Sequence, residues 1–301
     1  MPELETRGAE LSLTEETAGE IARWSSALAG DAYRAAERSR AEAPGLAFVA
    51  PDLAAEVVRF GRLLGRAGLL RVTGVRIPGR LPPTPGRPYV EVRRPVGTEP
   101  LLLAVAGLAG EVVSFADWHG GDRVQNLYPL RSEAGRQNAS NAVHLEMHTE
   151  TAFRPTTPDA LALLCLRHDD RARTLACDLL DVWAGLDSGV RRALAEPAYA
   201  FELPGGTTTE PKPVATEWRG RPRFNYADAV CSVDAEHRGA LLALKEGIRD
   251  RTTQITLMAG DLLLIDNTHV VHGRTGYGPR YDGGDRWLQR CLIRAAPGER
   301  E

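Results

Sequence analysis

Apolar and polar residues follow two different periods along the chain, and the change between them falls near residue 110. Before that point, amphipathic and Ala-rich stretches with capping residues predict helices over 13–42, 51–66 and 100–109. A strand is predicted at 69–75, and the Pro-rich segment 76–100 is typical of an exposed loop. A linker between two domains is the alternative, but neither flanking part carries enough pattern to fold alone.

Beyond residue 110, short apolar segments recur at regular spacing between turn residues, which is typical of a sandwich or barrel. Helices interrupt them at 186–195 and 233–249. We predict a mainly β fold in a single domain, 1–301, whose helical part and Pro-rich loop (1–110) support a barrel core (111–294). The strands are predicted at 111–115, 124–129, 142–149, 160–168, 174–182, 198–203, 221–226, 253–258, 261–266 and 286–294.

Charge and composition exclude several classes of protein. The 301 residues carry a net charge of −3 with acidic and basic side chains interspersed, whereas a nucleic-acid-binding domain is expected to be basic. No apolar run approaches the roughly 18 residues of a membrane helix, and the first 18 residues lack the apolar core of a signal peptide. The four cysteines form no CxxC pair. We expect a cytoplasmic protein with reduced thiols and with neither a nucleic-acid nor a membrane partner.

One candidate metal site begins with His148 and Glu150, which are two residues apart and would share one face of a strand. His144 and Glu146 form a rival pair of the same parity. His148 and Glu150 are favoured because a strand-to-loop exit follows them, while His144 is expected deeper in an apolar context. A hydrogen-bonded structural pair is the alternative interpretation.

A third ligand is available from the segment His269-Val270-Val271-His272-Gly273, in which either histidine could bind metal. His272, just before a glycine, is expected at the start of a loop and better exposed. Two histidines and one carboxylate on one side of a metal leave positions open for substrate and oxygen, as in non-haem iron sites. A zinc hydrolase could use the same ligands.

Two arginines on the last predicted strand suggest an anion pocket beside that metal. Arg286 and Arg290 are four residues apart and would share a face among apolar neighbours. Two guanidiniums buried in such a strand need anionic partners, and carboxylates suit them by bidentate hydrogen bonding. The alternative is a pair of surface arginines on an edge strand.

Five short motifs carry a family resemblance. They are His148-Thr149-Glu150-x-Ala152-Phe153, Arg173-Thr174, Asp266-Asn267, His272-Gly273-Arg274 and Arg280-Tyr281-Asp282-Gly283-x-Asp285-Arg286-Trp287-Leu288-Gln289-Arg290. The chain resembles the clavaminate synthase-like Fe(II)/2-oxoglutarate oxygenases over residues 100–294. The subgroup that hydroxylates free arginine, asparagine and lysine is the most similar. The resemblance implies a double-stranded β-helix (jelly roll, cupin-like) with Fe(II) as cofactor and 2-oxoglutarate and O₂ as cosubstrates.

The resemblance also implies roles for single residues. Iron would be bound by His148, Glu150 and His272, the three residues on which catalysis depends. Arg286 would hold the distal carboxylate of 2-oxoglutarate with help from the Thr174 hydroxyl. The substrate would contact Glu150, and its α-carboxylate would bind Arg290. By the same resemblance, the loop 276–284 would lie beside the cosubstrate, and 130–141 would form a lid.

Two segments depart from the family pattern and concern the substrate. Where related amino-acid hydroxylases often place a glutamine for the α-amino group, this chain has Trp118 and His119. Where arginine-specific members place acidic residues, it has Asn225, with Asp228 three residues later. Asn225 would suit a neutral side chain, which disfavours arginine as the substrate.

The expected function is therefore hydroxylation of an unactivated C–H bond in a free L-amino acid or amino-acid derivative, in specialised, antibiotic-type metabolism. One alternative is a carrier-tethered or modified amino acid, with desaturation or cyclisation as outcome. A second is a jelly-roll metalloprotein that binds a small acid without turnover, although such a binder has no need of His148, Glu150, His272 and Arg286 together. The sequence predicts a small-molecule partner and leaves the oligomeric state open.

Overall fold

Helices cluster in the N-terminal part of the chain, as the apolar pattern predicts. The structure, a computed structural model, describes residues 8–28, 38–77, 79–92, 94–138, 140, 142–203, 206–232 and 234–296. The helices are α1 Glu15–Ala27, α2 Arg38–Val49, α3 Pro51–Arg62, α4 Tyr89–Val92, α5 Glu99–Ala109, α6 Leu179–Gly185, α7 Ser188–Leu194 and α8 Ala235–Arg251. Within the described ranges, no helix combines the length and the apolar character needed to cross a membrane.

Short strands make up most of the chain after residue 110. The strands are β1 Gly8–Ser12, β2 Leu69–Thr73, β3 Glu111–Val113, β4 Gln125–Leu127, β5 Leu145–His148, β6 Ala160–Arg167, β7 Thr174–Asp178, β8 Tyr199–Ala200, β9 Ala215–Trp218, β10 Arg221–Phe224, β11 Cys231–Ser232, β12 Thr253–Ile255, β13 Leu262–Asp266, β14 Val270–Arg274 and β15 Trp287–Arg294. Two of the sheets that they form build the core of the molecule.

The larger of these sheets has seven strands, and β15 is one of its interior strands. Its order is β1-β2-β13-β6-β15-β3, and β4 pairs with β15 beside β3. The pair β1–β2 is parallel, and the other pairs of the sheet are antiparallel. Since β15 has partners along both of its edges, it is not an edge strand.

The smaller sheet has four antiparallel strands in the order β12-β7-β14-β5 and faces the larger one. The core between the sheets contains Leu163 and Leu263 from the larger sheet together with Ala176 and Val270 from the smaller. Two facing antiparallel sheets of this kind form the double-stranded β-helix that the sequence predicts. The predicted fold class is confirmed.

The N-terminal helices cover the outer face of the larger sheet. In α3 the buried residues Leu53, Val57 and Phe60 recur at helical spacing. Nine of the eleven residues of α5 are buried, because this helix lies between the sheet and its neighbours α2 and α3. The resulting apolar cluster joins residues from Ile21 to Ile293, so the N-terminal part and the β core share one hydrophobic interior.

Helices α6, α7 and α8 cover the outer face of the smaller sheet. Their buried residues Val182, Leu194 and Leu244 belong to one cluster with Cys177 of β7 and Val271 of β14. The smaller sheet is therefore packed on both faces, and its polar residues are enclosed by apolar ones.

Several predicted boundaries differ from the structure. The predicted helix 13–42 contains the end of α1 at Ala27 and the start of α2 at Arg38, while 29–37 lie outside the described residues. The predicted strand 174–182 ends at Asp178, whose Oδ1 accepts a hydrogen bond of 2.8 Å from Leu180 N and caps α6. Strands β1, β9, β11 and β14 were not predicted; in β14, polar residues interrupt the apolar alternation.

Candidate active site

The pairing of β14 with β5 brings two histidines together. His148 and His272 are direct partners in the antiparallel register, and their ring centroids are 4.6 Å apart. Gly273 permits the close approach of the two strands, because a Cβ at this position would lie 2.6 Å from the carbonyl oxygen of Leu145. The prediction that His272 begins a loop is wrong: it lies within β14 and is 7% exposed.

Glu150 reaches the histidines from a turn, which corrects the expectation that it shares a strand with His148. Strand β5 ends at His148, and the backbone turns at Thr151, whose φ is 55°. Asn267 fixes the turn, since its Oδ1 accepts a hydrogen bond of 2.6 Å from Glu150 N and its Nδ2 donates to Pro158 O at 2.8 Å.

The three side chains form a compact group of potential ligands. One donor atom from each of His148, Glu150 and His272 lies within 4.8 Å of the others. The rival pair His144 and Glu146 makes a 3.3 Å contact in which the side chains are 45% and 49% exposed. The expectation of an apolar context for His144 is therefore wrong, because strand β5 starts at the surface.

Hydrogen bonding and charge at this group fit a divalent metal. His148 Nδ1 lies 2.8 Å from Glu146 O, and since a carbonyl only accepts, Nδ1 carries the proton and Nε2 is left with its lone pair. Burial and the neighbouring His272 lower the pKa of His148 to about 4. Burial alone would raise the pKa of Glu150, but Arg290 and His272 outweigh it and hold the pKa well below its usual range. A neutral imidazole and an ionised carboxylate suit Fe(II).

A cavity between the two sheets extends from this group. The larger sheet contributes leucines and Arg290 of β15, Arg286 directly precedes β15, and the smaller sheet contributes Leu145 and several polar residues. The lining residues are Leu127, Leu145, His148, Glu150, Leu161, Leu163, Thr174, His272, Gly273, Arg274, Arg286, Leu288 and Arg290. Five leucines and seven polar or charged side chains thus share the wall, which suits a polar small molecule.

Arg286 is a buried cation without a carboxylate partner. It is 5% exposed, and within the described ranges no carboxylate oxygen lies within 4.0 Å of its guanidinium. Burial lowers its pKa, and burial together with the charge of Arg286 lowers the pKa of Arg274 to about 10. Two guanidiniums and the buried hydroxyl residue Thr174 line the same cavity. This cluster of positive charge is suited to an anionic ligand.

Arg290 is also buried, but its donors are engaged. Its Nη1 donates to Glu150 Oε2 at 2.6 Å, and its Nε and Nη2 donate to Gln125 Oε1 at 2.9 and 2.6 Å. The ring of Trp118 lies over the guanidinium, with its centroid 4.8 Å from Cζ. Because Arg286 and Arg290 are both buried and β15 has partners on both edges, the alternative of surface arginines on an edge strand is excluded.

The predicted substrate residues fall into two groups. Trp118 and His119 lie beside Arg290, and burial followed by the charge of Arg290 lowers the pKa of His119 to about 4. Asn225 and Asp228 do not line the cavity between the sheets. Their segment runs beside β5 through a 2.8 Å hydrogen bond from Thr149 N to Tyr226 O, and Asp228 Oδ1 accepts from the Tyr226 hydroxyl at 2.9 Å.

Two residues at the site were not assigned a role from the sequence. Gln125 lies opposite Arg290 in the β4–β15 register and contacts it. Asn267 anchors the turn that carries Glu150. A polar residue within an apolar strand was the available signal for Gln125, whereas the contact of Asn267 spans 117 residues and leaves no local pattern.

A double-stranded β-helix with a His-Glu-His group between its sheets is characteristic of mononuclear non-haem metal oxygenases. The profile of the family described as "Taurine catabolism dioxygenase TauD, TfdA family" matches residues 107–292, more than half of the chain. The chain belongs to this family. It is an Fe(II)/2-oxoglutarate-dependent dioxygenase that uses O₂.

Relatives of known activity and structure share this architecture. The L-asparagine oxygenase of Streptomyces coelicolor is 31% identical over 250 residues, which cover 79% of this chain and 74% of the relative. A crystal structure of asparagine oxygenase with Fe(II), 2S,3S-3-hydroxyasparagine and succinate aligns with a TM-score of 0.85 at 27% identity, over 95% and 94% of the two chains. The non-heme iron oxygenase OrfP with Fe and alpha-ketoglutaric acid aligns with a TM-score of 0.83 at 28% identity, with the same coverage.

Proposed function

We propose that this dioxygenase hydroxylates an unactivated C–H bond of an L-amino acid or amino-acid derivative in specialised, antibiotic-type metabolism. The observation that carries the proposal is the pairing of a His-Glu-His group with the buried, carboxylate-free Arg286 in one cavity. Relatives that oxidise asparagine support an amino-acid substrate. A small molecule is thus the expected partner.

His148, Glu150 and His272 would hold the iron, which supplies the oxidising chemistry when O₂ and 2-oxoglutarate are present. Arg286 binds the distal carboxylate of 2-oxoglutarate, and Thr174 lies in the same cavity to donate to that carboxylate. Leu161, Leu163 and Leu288 exclude water from the cavity walls, which strengthens these electrostatic contacts.

Arg290 positions the substrate through its α-carboxylate, beside Glu150. Trp118 and His119 border this place, and Asn225 and Asp228 come from the segment paired with β5. We also propose that residues 1–301 function as one oxygenase domain, because the N-terminal helices and the β core share a hydrophobic cluster.

The proposal is tested by incubating the iron-loaded protein with 2-oxoglutarate, O₂ and a panel of L-amino acids and their derivatives. Succinate release coupled to a product with one added oxygen atom is expected, and a product that lacks two hydrogens would indicate desaturation. His148→Ala and His272→Ala should abolish iron binding and succinate release, whereas His144→Ala, at the exposed rival position, should retain both. Full iron-dependent turnover in both ligand variants would refute the assignment.

A further inference from the structure

The turn that carries the proposed iron ligand Glu150 contains a strained residue. Thr151 has a φ of 55°, in the left-handed region, which β-branched side chains rarely adopt. Such a conformation is unfavourable and persists only where surrounding contacts enforce it. Thr151 is 3% exposed, so the contacts that enforce its conformation come from within the protein.

The turn closes through two backbone hydrogen bonds of its own. Ala152 N donates to Thr149 O at 3.2 Å, and Arg154 N donates to Thr151 O at 2.8 Å. Because both bonds lie within the turn, they preserve its shape but do not fix its position relative to the two histidines. Asn267 anchors the first half of the turn from outside. The second half requires an anchor of its own.

Lys212 provides that second anchor. Its ammonium group donates to Ala152 O and, at 3.2 Å, to Arg154 O, and it lies 4.7 Å from the centroid of the Phe201 ring. The backbone of Lys212 is itself fixed, because its N–H donates to Tyr199 O of β8 at 2.9 Å. The side chain therefore joins the turn to a part of the chain that lies 58 to 60 residues away.

The chemistry of lysine suits this contact. Only two of the 37 basic residues of the chain are lysines, and the other one, Lys245, also donates to a backbone carbonyl, Asp228 O, at 2.6 Å. An ammonium group carries all its N–H donors on one compact nitrogen, whereas a guanidinium spreads them over a larger plane. The ammonium of Lys212 can thus donate to two carbonyl oxygens of one turn while it contacts the face of Phe201.

We propose that Lys212 is a positioning residue for the iron site: it holds the strained turn so that the Glu150 carboxylate is directed at His148 and His272 before the metal binds. This inference rests on the ligand set of the proposed function. Without the ammonium group, Thr151 can relax to a negative φ, and the carboxylate is then directed at the histidines in only a fraction of the molecules. The apparent affinity for iron falls by that fraction.

The first test replaces Lys212 by methionine, which keeps the apolar stem and removes the ammonium group. Calorimetric titration of the metal-free enzyme with Fe(II), in the presence of 2-oxoglutarate and the absence of O₂, should give a Kd about tenfold above that of the wild type. Lys212→Arg, which keeps the charge on a larger group, should raise the Kd about threefold. Arg249→Met, at an exposed position of α8, is the matched control and should leave the Kd unchanged. An unchanged Kd in both Lys212 variants would overturn the proposal.

Hydrogen exchange in the metal-free enzyme measures the turn without any contribution from turnover. The amides of Ala152 and Arg154 close the turn, and they should exchange about tenfold faster in Lys212→Met than in the wild type. The amides of β6, which is paired along both edges, should exchange at the wild-type rate and so show that the variant is folded. Equal exchange of the turn amides in the two proteins would exclude Lys212 as the anchor.

A second substitution separates positioning from a general loss of stability. Glycine adopts a positive φ without strain, so Thr151→Gly reduces the need for an anchor. The double variant Lys212→Met/Thr151→Gly should bind Fe(II) at least about threefold more tightly than Lys212→Met. A double variant that binds iron no better than Lys212→Met would refute the role assigned to the strained turn.

The outcomes also separate this inference from the proposed function. If His148→Ala and His272→Ala retain iron, the assigned ligand set is wrong, and the proposed function and the inference both fail. If these two variants lose iron while Lys212→Met keeps the wild-type Kd and the wild-type exchange of the turn amides, the inference fails alone.

Discussion

Arg286 and Arg290 have the same charge and are both buried in the wall of one cavity, yet their surroundings differ. Arg290 donates to Glu150 and to Gln125, so its charge is balanced within the protein. Arg286 has no carboxylate within 4.0 Å in the described part of the chain and lies near Arg274. The two arginines, although only four residues apart, are therefore suited to different roles: one has its charge balanced within the protein, and the other does not.

The difference has an energetic consequence. A ligand carboxylate at Arg286 acquires a partner that the protein does not supply, so its full charge-assisted hydrogen bonding contributes to binding. A carboxylate at Arg290 must share or replace partners that are already present, so the net gain is smaller. In return, Arg290 keeps Glu150 ionised and oriented at the metal group. The expected effects of substitution follow from this contrast.

The largest effect is expected for Arg286→Ala. Loss of the guanidinium leaves the distal carboxylate of 2-oxoglutarate unpaired in a buried site, which costs ~3 kcal/mol and raises the KM for 2-oxoglutarate about 100-fold. The KM for the amino-acid substrate should change by less than about threefold. Steady-state succinate release measures both constants. Arg249→Ala, at an exposed position of α8, is the matched control. An unchanged requirement for 2-oxoglutarate would remove the functional distinction between the two arginines.

A smaller effect of the opposite selectivity is expected for Arg290→Ala. The KM for the substrate should rise about tenfold, because substrate binding there exchanges one set of partners for another. The KM for 2-oxoglutarate should stay within about threefold of the wild-type value. The same kinetic assay, run at saturating 2-oxoglutarate, gives the comparison. If the KM for the substrate and the KM for 2-oxoglutarate rise together, Arg290 acts through Glu150 and the metal group.

A modest effect is expected for Thr174→Val, which keeps the shape of the side chain and removes the hydroxyl. One hydrogen bond to the distal carboxylate is worth ~1 kcal/mol, so the KM for 2-oxoglutarate should rise about fivefold. A double substitution with Arg286→Ala should be less than additive, because both side chains would contact one carboxylate. Full additivity in this double-mutant cycle would place Thr174 outside the cosubstrate site.

The least effect on turnover is expected at His269, a third buried cation whose charge is balanced on both sides. Its Nδ1 lies 2.9 Å from Asp178 Oδ1 and its Nε2 3.1 Å from Asp266 Oδ2. Burial alone would lower the pKa of His269, but these two hydrogen bonds raise it to about 9. A pKa that is higher in the folded than in the unfolded state gives stability that is fully present below the unfolded pKa of about 6.5.

This stability should be lost as the pH rises through about 9. Denaturant unfolding between pH 6.5 and 10 should show a fall of about 1–3 kcal/mol, and His269→Asn should flatten this dependence and lower stability at neutral pH. His144→Asn, at an exposed histidine, is the control. A wild-type protein as stable at pH 10 as at pH 6.5 would contradict a charged His269.

The class of fold could be predicted because local pattern reports it directly. Regular short apolar segments after residue 110 indicated a sandwich or barrel, and the helical spacing of Val57, Phe60 and Leu64 indicated a helix. Strand β14 was missed because His272, Gly273 and Arg274 interrupt its apolar alternation. The polar site residues of β14 occupy buried positions, so the apolar alternation that identifies a strand is absent from its sequence.

Site residues could be predicted where they belong to a motif with fixed spacing along the chain. Contacts that depend on how strands pair could not be predicted. The sequence by itself determined which residue types were available for metal and anion, including His148, Glu150, Arg286 and Arg290. Only the tertiary structure decided that His148 faces His272 across a strand pair, that Glu150 enters from a turn, and that the two arginines have different partners. Strand register and burial arise from contacts between distant segments, and these contacts determine which charges are balanced within the protein and which require a ligand.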